Sequence, residues 1–157
     1  MSSNFVPLTA PELVARINKI PRVNLAQLPT ALEFAPNISK ELNINLYIKR
    51  DDCTALAFGG NKTRHLEFIM AKILSGDYDC ILTGAASQSN FCRQAVAAAN
   101  KLNLDSYLVL MHGIKGRLMQ GNFLLYNILG ANVDVVEGED LEEIPKHLDK
   151  KYNELVK

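Results

Sequence analysis

The chain has 157 residues, of which 48% are hydrophobic and 22% are charged, as is usual for a globular protein. Its 17 basic residues balance 17 acidic ones, which excludes a broad electrostatic attraction to nucleic acid or to an anionic membrane. No segment is long and apolar enough to span a membrane, and residues 1–7 lack the pattern of a signal peptide. We therefore expect a cytoplasmic protein.

Short elements and prolines characterise the first third of the chain. Thr9 and Glu12 have the spacing of a capping box, which marks the start of a helix. The elements predicted here are a helix to about residue 19, an extended or looped region over 20–35, a short helix over 37–42 and an alternating strand over 44–50.

Helices and strands then alternate. The predicted elements are a helix over 61–75, a strand over 80–83, a helix over 89–102, a strand over 107–111, a helix over 117–129, a strand over 133–136 and a helix over 141–156. This order predicts an α/β fold, a parallel sheet with helices on both faces. The loops 51–61 and 84–88 each follow a strand and precede a helix, so we expect both at the carboxyl edge of the sheet, where ligands bind.

A single lysine, Lys62, directly follows the pair Gly59 and Gly60. The glycines permit positive φ values and a close approach of the backbone to a ligand. Asn61 is predicted to cap the helix that Lys62 begins, and a helix N-terminus favours an anion. A lysine amine there can be a nucleophile that forms a Schiff base with an aldehyde. The alternative is an ordinary solvated lysine.

Ser89 and Asn90 occupy the start of another predicted helix. Both residue types commonly cap helices, and the alternative is a hydroxyl and an amide that contact a cofactor. Arg93 is expected on an exposed or interdomain face of that helix. Cys80 and Cys92 are expected in the core, and the scattered cysteines and histidines argue against a metal site.

Five motifs in this order resemble one known family. They are Leu28-Pro29-Thr30, Lys49-Arg50-Asp51-Asp52, Gly59-Gly60-Asn61-Lys62-x-Arg64-x-Leu66-Glu67, Gln88-Ser89-Asn90-x-x-Arg93-Gln94 and Gly121-Asn122-x-Leu124-Leu125. Over about residues 20–137 the chain resembles 1-aminocyclopropane-1-carboxylate deaminase and D-cysteine desulfhydrase, which are pyridoxal-phosphate enzymes of the tryptophan-synthase β type (fold type II). The resemblance implies a lyase or deaminase that acts on a small amino acid.

The resemblance also implies roles for individual residues. Lys62 would form the Schiff base with pyridoxal 5′-phosphate, and Ser89 would lie near the substrate and assist proton transfer. Asn90 would hydrogen-bond the phenolic oxygen of the cofactor and, with Ser89 and Phe91, contact the substrate. His65 stands where relatives of the deaminase type carry a lysine near the cofactor phosphate. Phe91 stands where relatives commonly have histidine or glutamine, which implies a more apolar substrate pocket.

Members of this family continue well beyond the length of this chain. The resemblance therefore implies an incomplete N-terminal part, in which residues 1–60 are an arm and strand of the larger domain and residues 61–157 form the small α/β domain. The expected partners are a small amino-acid substrate and either a second copy of the chain or a complementary C-terminal half.

Two other functions are alternatives to this one. A truncated, non-catalytic relative could bind a partner or a ligand through the same cleft; Phe91 and the expected lack of a C-terminal half motivate this alternative. A dinucleotide-binding domain is disfavoured, because no G-x-G-x-x-G motif follows a strand.

Overall fold

The computed structural model describes residues 7–112, 118–138 and 140–156. The α-helices within these ranges are α1 (Ala10–Ile17), α2 (Pro36–Leu42), α3 (Lys62–Leu74), α4 (Asn90–Lys101), α5 (Gly121–Ile128) and α6 (Ile144–Leu155). The strands are β1 (Leu32–Phe34), β2 (Tyr47–Lys49), β3 (Cys80–Ala86), β4 (Asp105–Met111) and β5 (Asn132–Val136). Short 3₁₀ turns cover Asp51–Cys53, Leu56–Phe58 and Leu141–Glu143.

Strands β3, β4 and β5 form a parallel sheet in that order. The side chains of Leu108 and Leu110 pack with α4 and α5 on one face. On the other face, Lys151 of α6 lies 5.8 Å from the ring centre of Tyr107 and forms an ion pair with Asp134 at 2.8 Å. Because neighbouring strand residues point to opposite faces, helices cover both sides of the sheet. The predicted α/β fold is confirmed.

Helix α4 lies at the centre of two hydrophobic clusters. Ala95, Ala98 and Ala99 pack with Leu66 and Met70 of α3. Small side chains on α4 let the two helices approach closely, which is what the alanine-rich sequence of this helix provides. Toward the sheet, the buried side chains of α4 pack with those of β4 and α5; this second cluster consists of Cys92, Val96, Leu108, Leu110, Phe123 and Tyr126.

Strands β1 and β2 form a separate, antiparallel pair, with Leu32 opposite Lys49. The expectation that the strand predicted over 44–50 joins a parallel sheet is therefore wrong. It pairs with a segment that we predicted only as extended or looped, because the intervening chain turns back through α2 instead of making a long crossover. Every residue of β1 and β2 is exposed, so neither face of this pair is covered by the described residues.

The N-terminal arm is attached to α3 through charged side chains. The buried carboxylate of Glu67 accepts hydrogen bonds from the backbone N–H groups of Leu25, at 3.1 Å, and Ala26, at 3.0 Å. The guanidinium of Arg64 donates two hydrogen bonds to the carboxylate of Asp51, at 2.7 and 2.9 Å. These contacts bring the loop after β2 against the first turns of α3.

We expect the contact between Asp51 and Arg64 to make stability depend on pH. The hydrogen bond from Arg64 lowers the pKa of Asp51 below its usual value. A carboxyl with a lowered folded-state pKa stabilises the fold above its unfolded pKa of about 4, and this contribution is lost as pH falls further. Asp51→Asn should reduce the free energy of unfolding at neutral pH by about 0.5–1 kcal/mol. The melting temperature of this variant should also fall less between pH 7 and pH 3 than that of the unaltered chain.

Melting temperatures between pH 3 and pH 7 check this prediction, with Asp77→Asn as the control. Asp77 is exposed and makes no side-chain hydrogen bond or ion pair within the described ranges. If the melting temperature of Asp51→Asn depends on acid pH as that of the unaltered chain does, the contact between Asp51 and Arg64 is contradicted.

Several predicted boundaries, and the predicted cap of α3, are wrong. Strand β3 continues through Gly84 to Ala86, because these residues pair with Val109 to Met111. Helix α5 begins at Gly121, and residues 118–120 precede it; residue 117 of the predicted helix lies outside the described residues. Asn61 has helical backbone angles, φ −62° and ψ −20°, and its side chain makes no capping hydrogen bond.

Among the described residues, no helix is long and apolar enough to cross a membrane.

Candidate functional site

Lys62 is the first residue of α3 and follows a loop that requires both of its glycines. The φ angles are +74° at Gly59 and +134° at Gly60, values that L side chains rarely adopt. A Cβ atom at Gly59 would overlap the carbonyl of Asp52, and one at Gly60 would overlap the side-chain amide of Gln94. The loop is therefore packed tightly against its surroundings just before the lysine.

Buried polar side chains hold this loop in place. Thr54 Oγ1 accepts a hydrogen bond from the N–H of Gly60 at 2.9 Å. Thr63 Oγ1 donates to Gln94 Oε1 at 2.6 Å, and Gln94 Nε2 donates to the carbonyl oxygen of Gly59 at 3.1 Å. Thr54, Thr63 and Gln94 are fully buried. Since a buried polar group is costly without partners, these contacts fix both the loop and the start of α3.

The side chain of Lys62 is half-buried. Within the described ranges, no hydrogen bond or ion pair engages its ammonium group. A cation at a helix N-terminus is opposed by the helix dipole, so this position gives the lysine no structural benefit. The amine is thus available to a ligand.

Arg93 connects the glycine loop to the start of α4. Its Nη2 donates to the carbonyl oxygen of Gly59 at 2.8 Å. Its Nη1 donates to Asn122 Oδ1 at 2.9 Å and lies 3.2 Å from Asn90 Oδ1. Its Nε is buried and has no hydrogen-bond partner in the described part of the chain. We expected Arg93 on an exposed or interdomain face; it is half-buried at the junction of three segments, so the exposed alternative is wrong.

The start of α5 is attached to the same junction. Asn122 Nδ2 donates to the carbonyl oxygen of Gln88 at 2.7 Å and to Asn90 Oδ1 at 2.9 Å. The backbone N–H of Asn122 donates to Gln88 Oε1 at 3.0 Å. Gly121 has φ +55°, and a Cβ atom there would lie 2.6 Å from Gln88 Oε1. The loop before α4 and the start of α5 are therefore in direct contact.

Ser89 caps α4, as the simpler of the two sequence interpretations predicts. Its Oγ accepts a hydrogen bond from the backbone N–H of Cys92 at 3.3 Å. A hydroxyl that accepts one bond can still donate its own hydrogen, so capping and proton transfer are compatible. The hydroxyl of Tyr126 donates to the carbonyl oxygen of Ser89 at 2.8 Å. Burial raises the pKa of Tyr126, which keeps this hydroxyl protonated.

The other predicted site residues lie at different depths. Asn90 is exposed at the first turn of α4, and His65 is exposed on α3, one turn after Lys62. Phe91 is partly buried and packs against both hydrophobic clusters. Its role in substrate binding stays a prediction. No cluster of histidine, cysteine, aspartate and glutamate side chains suited to a metal ion occurs in residues 7–112, 118–138 and 140–156.

Sequence reasoning gave no role to the residues that connect the two helix starts. Thr54, Thr63, Gln94 and Asn122 are buried although all are polar. Three of them lie in helices, where a polar side chain is normally solvated. Gln94 and Asn122 stand in two of the five motifs quoted above, and Gln94 follows Arg93 in an alanine-rich segment, but neither signal gives the residue a role in a buried network.

Comparisons with known proteins show the family of the chain. Residues 23–156 match the model of the family described as pyridoxal-phosphate dependent enzyme. A Pyrococcus horikoshii protein provisionally named 1-aminocyclopropane-1-carboxylate deaminase is 39% identical over 92% of this chain and 44% of its own length. A Klebsiella pneumoniae D-cysteine desulfhydrase is 37% identical over 85% of this chain and 43% of its own length.

Solved structures show the same relationship. The crystal structure of a homologue of 1-aminocyclopropane-1-carboxylate deaminase superimposes with a TM-score of 0.85 and 38% identity, over 94% of this chain and 44% of that one. Escherichia coli diaminopropionate ammonia lyase, in its apo form, has a TM-score of 0.58 at 14% identity, over 82% of this chain and 37% of that one, which shows a shared fold. The chain spans less than half the length of these relatives. It belongs to the family of pyridoxal-phosphate-dependent enzymes.

Proposed function

We propose that this chain carries the Schiff-base lysine of a pyridoxal-phosphate-dependent lyase or deaminase that acts on a small amino acid. One observation carries the proposal. Lys62 is half-buried, its amine has no partner in the described residues, and the loop before it is hydrogen-bonded to the helix that begins with Ser89 and Asn90. An amine, a hydroxyl and an amide are thus presented by two segments in direct contact.

The chemistry of these side chains fits pyridoxal phosphate. Its aldehyde requires an uncharged amine, which Lys62 would supply after losing a proton. Its phenolic oxygen requires a donor, which the side-chain amide of Asn90 offers. His65, one turn after Lys62, would contribute a hydrogen-bond donor for the phosphate. The two glycines keep the loop next to Lys62 free of side chains.

When bound, pyridoxal phosphate withdraws electrons from the α-carbon of an amino acid. In the proposed reaction Lys62 holds the cofactor until substrate arrives, and its freed amine then moves protons at the substrate. The hydroxyl of Ser89 lies on the adjoining helix start and would assist that proton transfer. Asn90 would orient the ring, and Phe91 would make the pocket more apolar.

D-Cysteine and 1-aminocyclopropane-1-carboxylate are the proposed substrates. The names of the Klebsiella and Pyrococcus relatives support them, and so does the contact between the loop before Lys62 and the helix that Ser89 caps. Loss of hydrosulfide from D-cysteine and opening of the cyclopropane ring both yield products that release ammonia.

We also propose that residues 1–60 belong to a larger domain completed by a complementary C-terminal half, and that residues 61–157 form the small domain. The exposed apolar side chains of the N-terminal arm support this proposal, because a two-stranded sheet is marginally stable by itself. These side chains are Leu13, Val14, Ile17, Ile20, Leu32, Phe34, Tyr47 and Ile48. A second copy of the chain is the alternative occupant of this surface.

The proposal is tested by turnover in the presence and absence of the missing half. The chain is mixed with pyridoxal phosphate, alone and together with the segment of the Pyrococcus horikoshii relative that extends beyond the matched region. Hydrosulfide and pyruvate from D-cysteine, and ammonia from 1-aminocyclopropane-1-carboxylate, are measured. We expect product formation from the mixture of both halves.

Tight association of the two halves without turnover of either compound would contradict the enzymatic proposal. It would favour the alternative function of a non-catalytic binding module. Size-exclusion chromatography of the same samples distinguishes this outcome from a failure of the halves to associate.

A further inference from the structure

Arg93 determines which end of each neighbouring side-chain amide faces it. A guanidinium only donates hydrogen bonds, so the atoms that it contacts must be oxygens. Arg93 Nη1 therefore faces Asn122 Oδ1 at 2.9 Å and Asn90 Oδ1 at 3.2 Å. The orientation of both amides follows from the chemistry of a single arginine.

A second contact fixes Asn122 independently. With its oxygen toward Arg93, its Nδ2 faces the carbonyl oxygen of Gln88 at 2.7 Å. A carbonyl oxygen only accepts hydrogen bonds, so the reversed orientation would place two acceptors together. The same Nδ2 donates to Asn90 Oδ1 at 2.9 Å. Asn90 Oδ1 thus accepts two hydrogen bonds, one from each neighbour.

The side-chain nitrogen of Asn90, Nδ2, is available to a ligand. Within the described part of the chain its Nδ2 makes no hydrogen bond, and the residue is exposed. A ligand that approaches Asn90 therefore meets two N–H donors and no free acceptor. Rotation of the amide by 180° would place its nitrogen against the donors of Arg93 and Asn122.

We propose that Arg93 and Asn122 are positioning residues that fix the side-chain amide of Asn90 so that it offers only N–H donors to a bound anion or phenolate oxygen. This inference rests on the proposed function, in which that oxygen belongs to pyridoxal phosphate. It assigns Arg93 a role through Asn90, separate from its hydrogen bond to the glycine loop.

The loop contact of Arg93 is partly duplicated. Gln94 Nε2 donates to the same carbonyl oxygen of Gly59, at 3.1 Å, that Arg93 Nη2 contacts at 2.8 Å. Removal of Arg93 therefore leaves the bonds from Gln94 to Gly59 and from Gly60 to Thr54 in place on the loop before Lys62. At Asn90 the loss is larger, because Asn122 Nδ2 would be the remaining donor to Asn90 Oδ1 and Asn122 would itself lose the contact of its oxygen with Arg93.

A double-mutant cycle separates the two roles of Arg93. The full chain is incubated with increasing concentrations of pyridoxal phosphate and reduced with borohydride, and the label on the Lys62 peptide is quantified by mass spectrometry. The variants are Arg93→Met, Asn90→Ala, the double variant and, as a matched control, Arg50→Met. Arg50 makes forked contacts with Glu33 and Asp52 in the N-terminal arm.

We expect Arg93→Met to raise the concentration for half-maximal labelling about tenfold, as for loss of a hydrogen bond to a charged group, and Arg50→Met to leave it unchanged. In the Asn90→Ala background, Arg93→Met should have no further effect. Arg93→Lys keeps the charge but lacks the fork; it should weaken labelling as Arg93→Met does, and it replaces that variant in the cycle if Arg93→Met fails to fold.

The inference would be overturned if Arg93→Met reduced labelling equally in the unaltered chain and in the Asn90→Ala background. Arg93 would then act through the glycine loop before Lys62 alone. No effect of Arg93→Met in a folded chain would overturn it as well. If Lys62 of the unaltered chain remains unlabelled at every concentration, the proposed function fails, and this assignment fails with it. Labelling of Lys62 in the unaltered chain thus distinguishes a failure of this inference alone from a failure of the proposed function.

Discussion

Lys62→Ala is expected to abolish turnover of D-cysteine and of 1-aminocyclopropane-1-carboxylate by the chain combined with its complementary half. The variant removes the amine that would hold the cofactor and move protons at the substrate. Loss of a group that transfers protons in the reaction lowers rates by about 10²–10⁴-fold, and loss of the cofactor attachment adds to this. Initial rates with saturating pyridoxal phosphate provide the measurement.

Lys72→Ala is the control for this variant. Lys72 lies in the last turn of the same helix, is exposed, and makes no side-chain hydrogen bond or ion pair in the described residues. Its removal should leave the rate unchanged. Because Lys62 also lacks such contacts, Lys62→Ala should melt within a few degrees of the unaltered chain. Undiminished turnover by Lys62→Ala would rule out the assignment of this lysine.

Among glycine-to-alanine substitutions, Gly59→Ala is expected to destabilise the fold most. At φ +74° the new Cβ atom would overlap the carbonyl group of Asp52. This obstacle is backbone, which cannot rotate away as a side chain can, so the loop between β2 and α3 would have to move. We expect a loss of about 2–4 kcal/mol in the free energy of unfolding, measured by denaturant titration.

Gly130→Ala is the matched control. Gly130 also has a positive φ, +78°, but no atom lies within 4 Å of the position that a Cβ would take. It therefore incurs only the conformational cost of an L residue at positive φ, about 1 kcal/mol. If the two variants were destabilised equally, steric contact at Gly59 would not be the cause, and the described packing of the glycine loop would be wrong.

The sequence predicted the elements of the parallel sheet well because local signals and tertiary structure agree there. The segments 80–83, 107–111 and 133–136 all lie within observed strands. The end of β3 was missed because Gly84 is typical of a turn. In the fold it allows close packing instead, since a Cβ there would lie 2.5 Å from the carbonyl oxygen of Val109 and 2.9 Å from Ile144 Cγ2.

The loop before α3 contacts α4, the helix that follows the second loop, but not for the reason that the sequence suggested. We expected both at the carboxyl edge of one parallel sheet. The loop before α3 follows β2, which belongs to the antiparallel pair. Its contact with α4 depends instead on Arg93 and Gln94, whose side chains both reach the carbonyl oxygen of Gly59. Such contacts over 34 or 35 residues leave no periodic signal in a sequence.

The candidate residues at the two helix starts were identified from motif order, while their supporting network was not. Ser89 could be assigned as a cap because capping depends on local sequence. Asn122 could not be assigned, since its contacts with Gln88, Asn90 and Arg93 exist only after α5 is packed beside α4. The roles of Lys62, Ser89, Asn90, His65 and Phe91 at a cofactor remain predictions.

The most direct test of the account is the position of the label after borohydride reduction of the unaltered chain with pyridoxal phosphate. The central claim is that the amine of Lys62 condenses with the aldehyde of the cofactor. Peptide mass spectrometry at limiting cofactor concentration should find the reduced adduct on Lys62 ahead of every other lysine. An adduct distributed over exposed lysines such as Lys72, with Lys62 unmodified, would contradict the account.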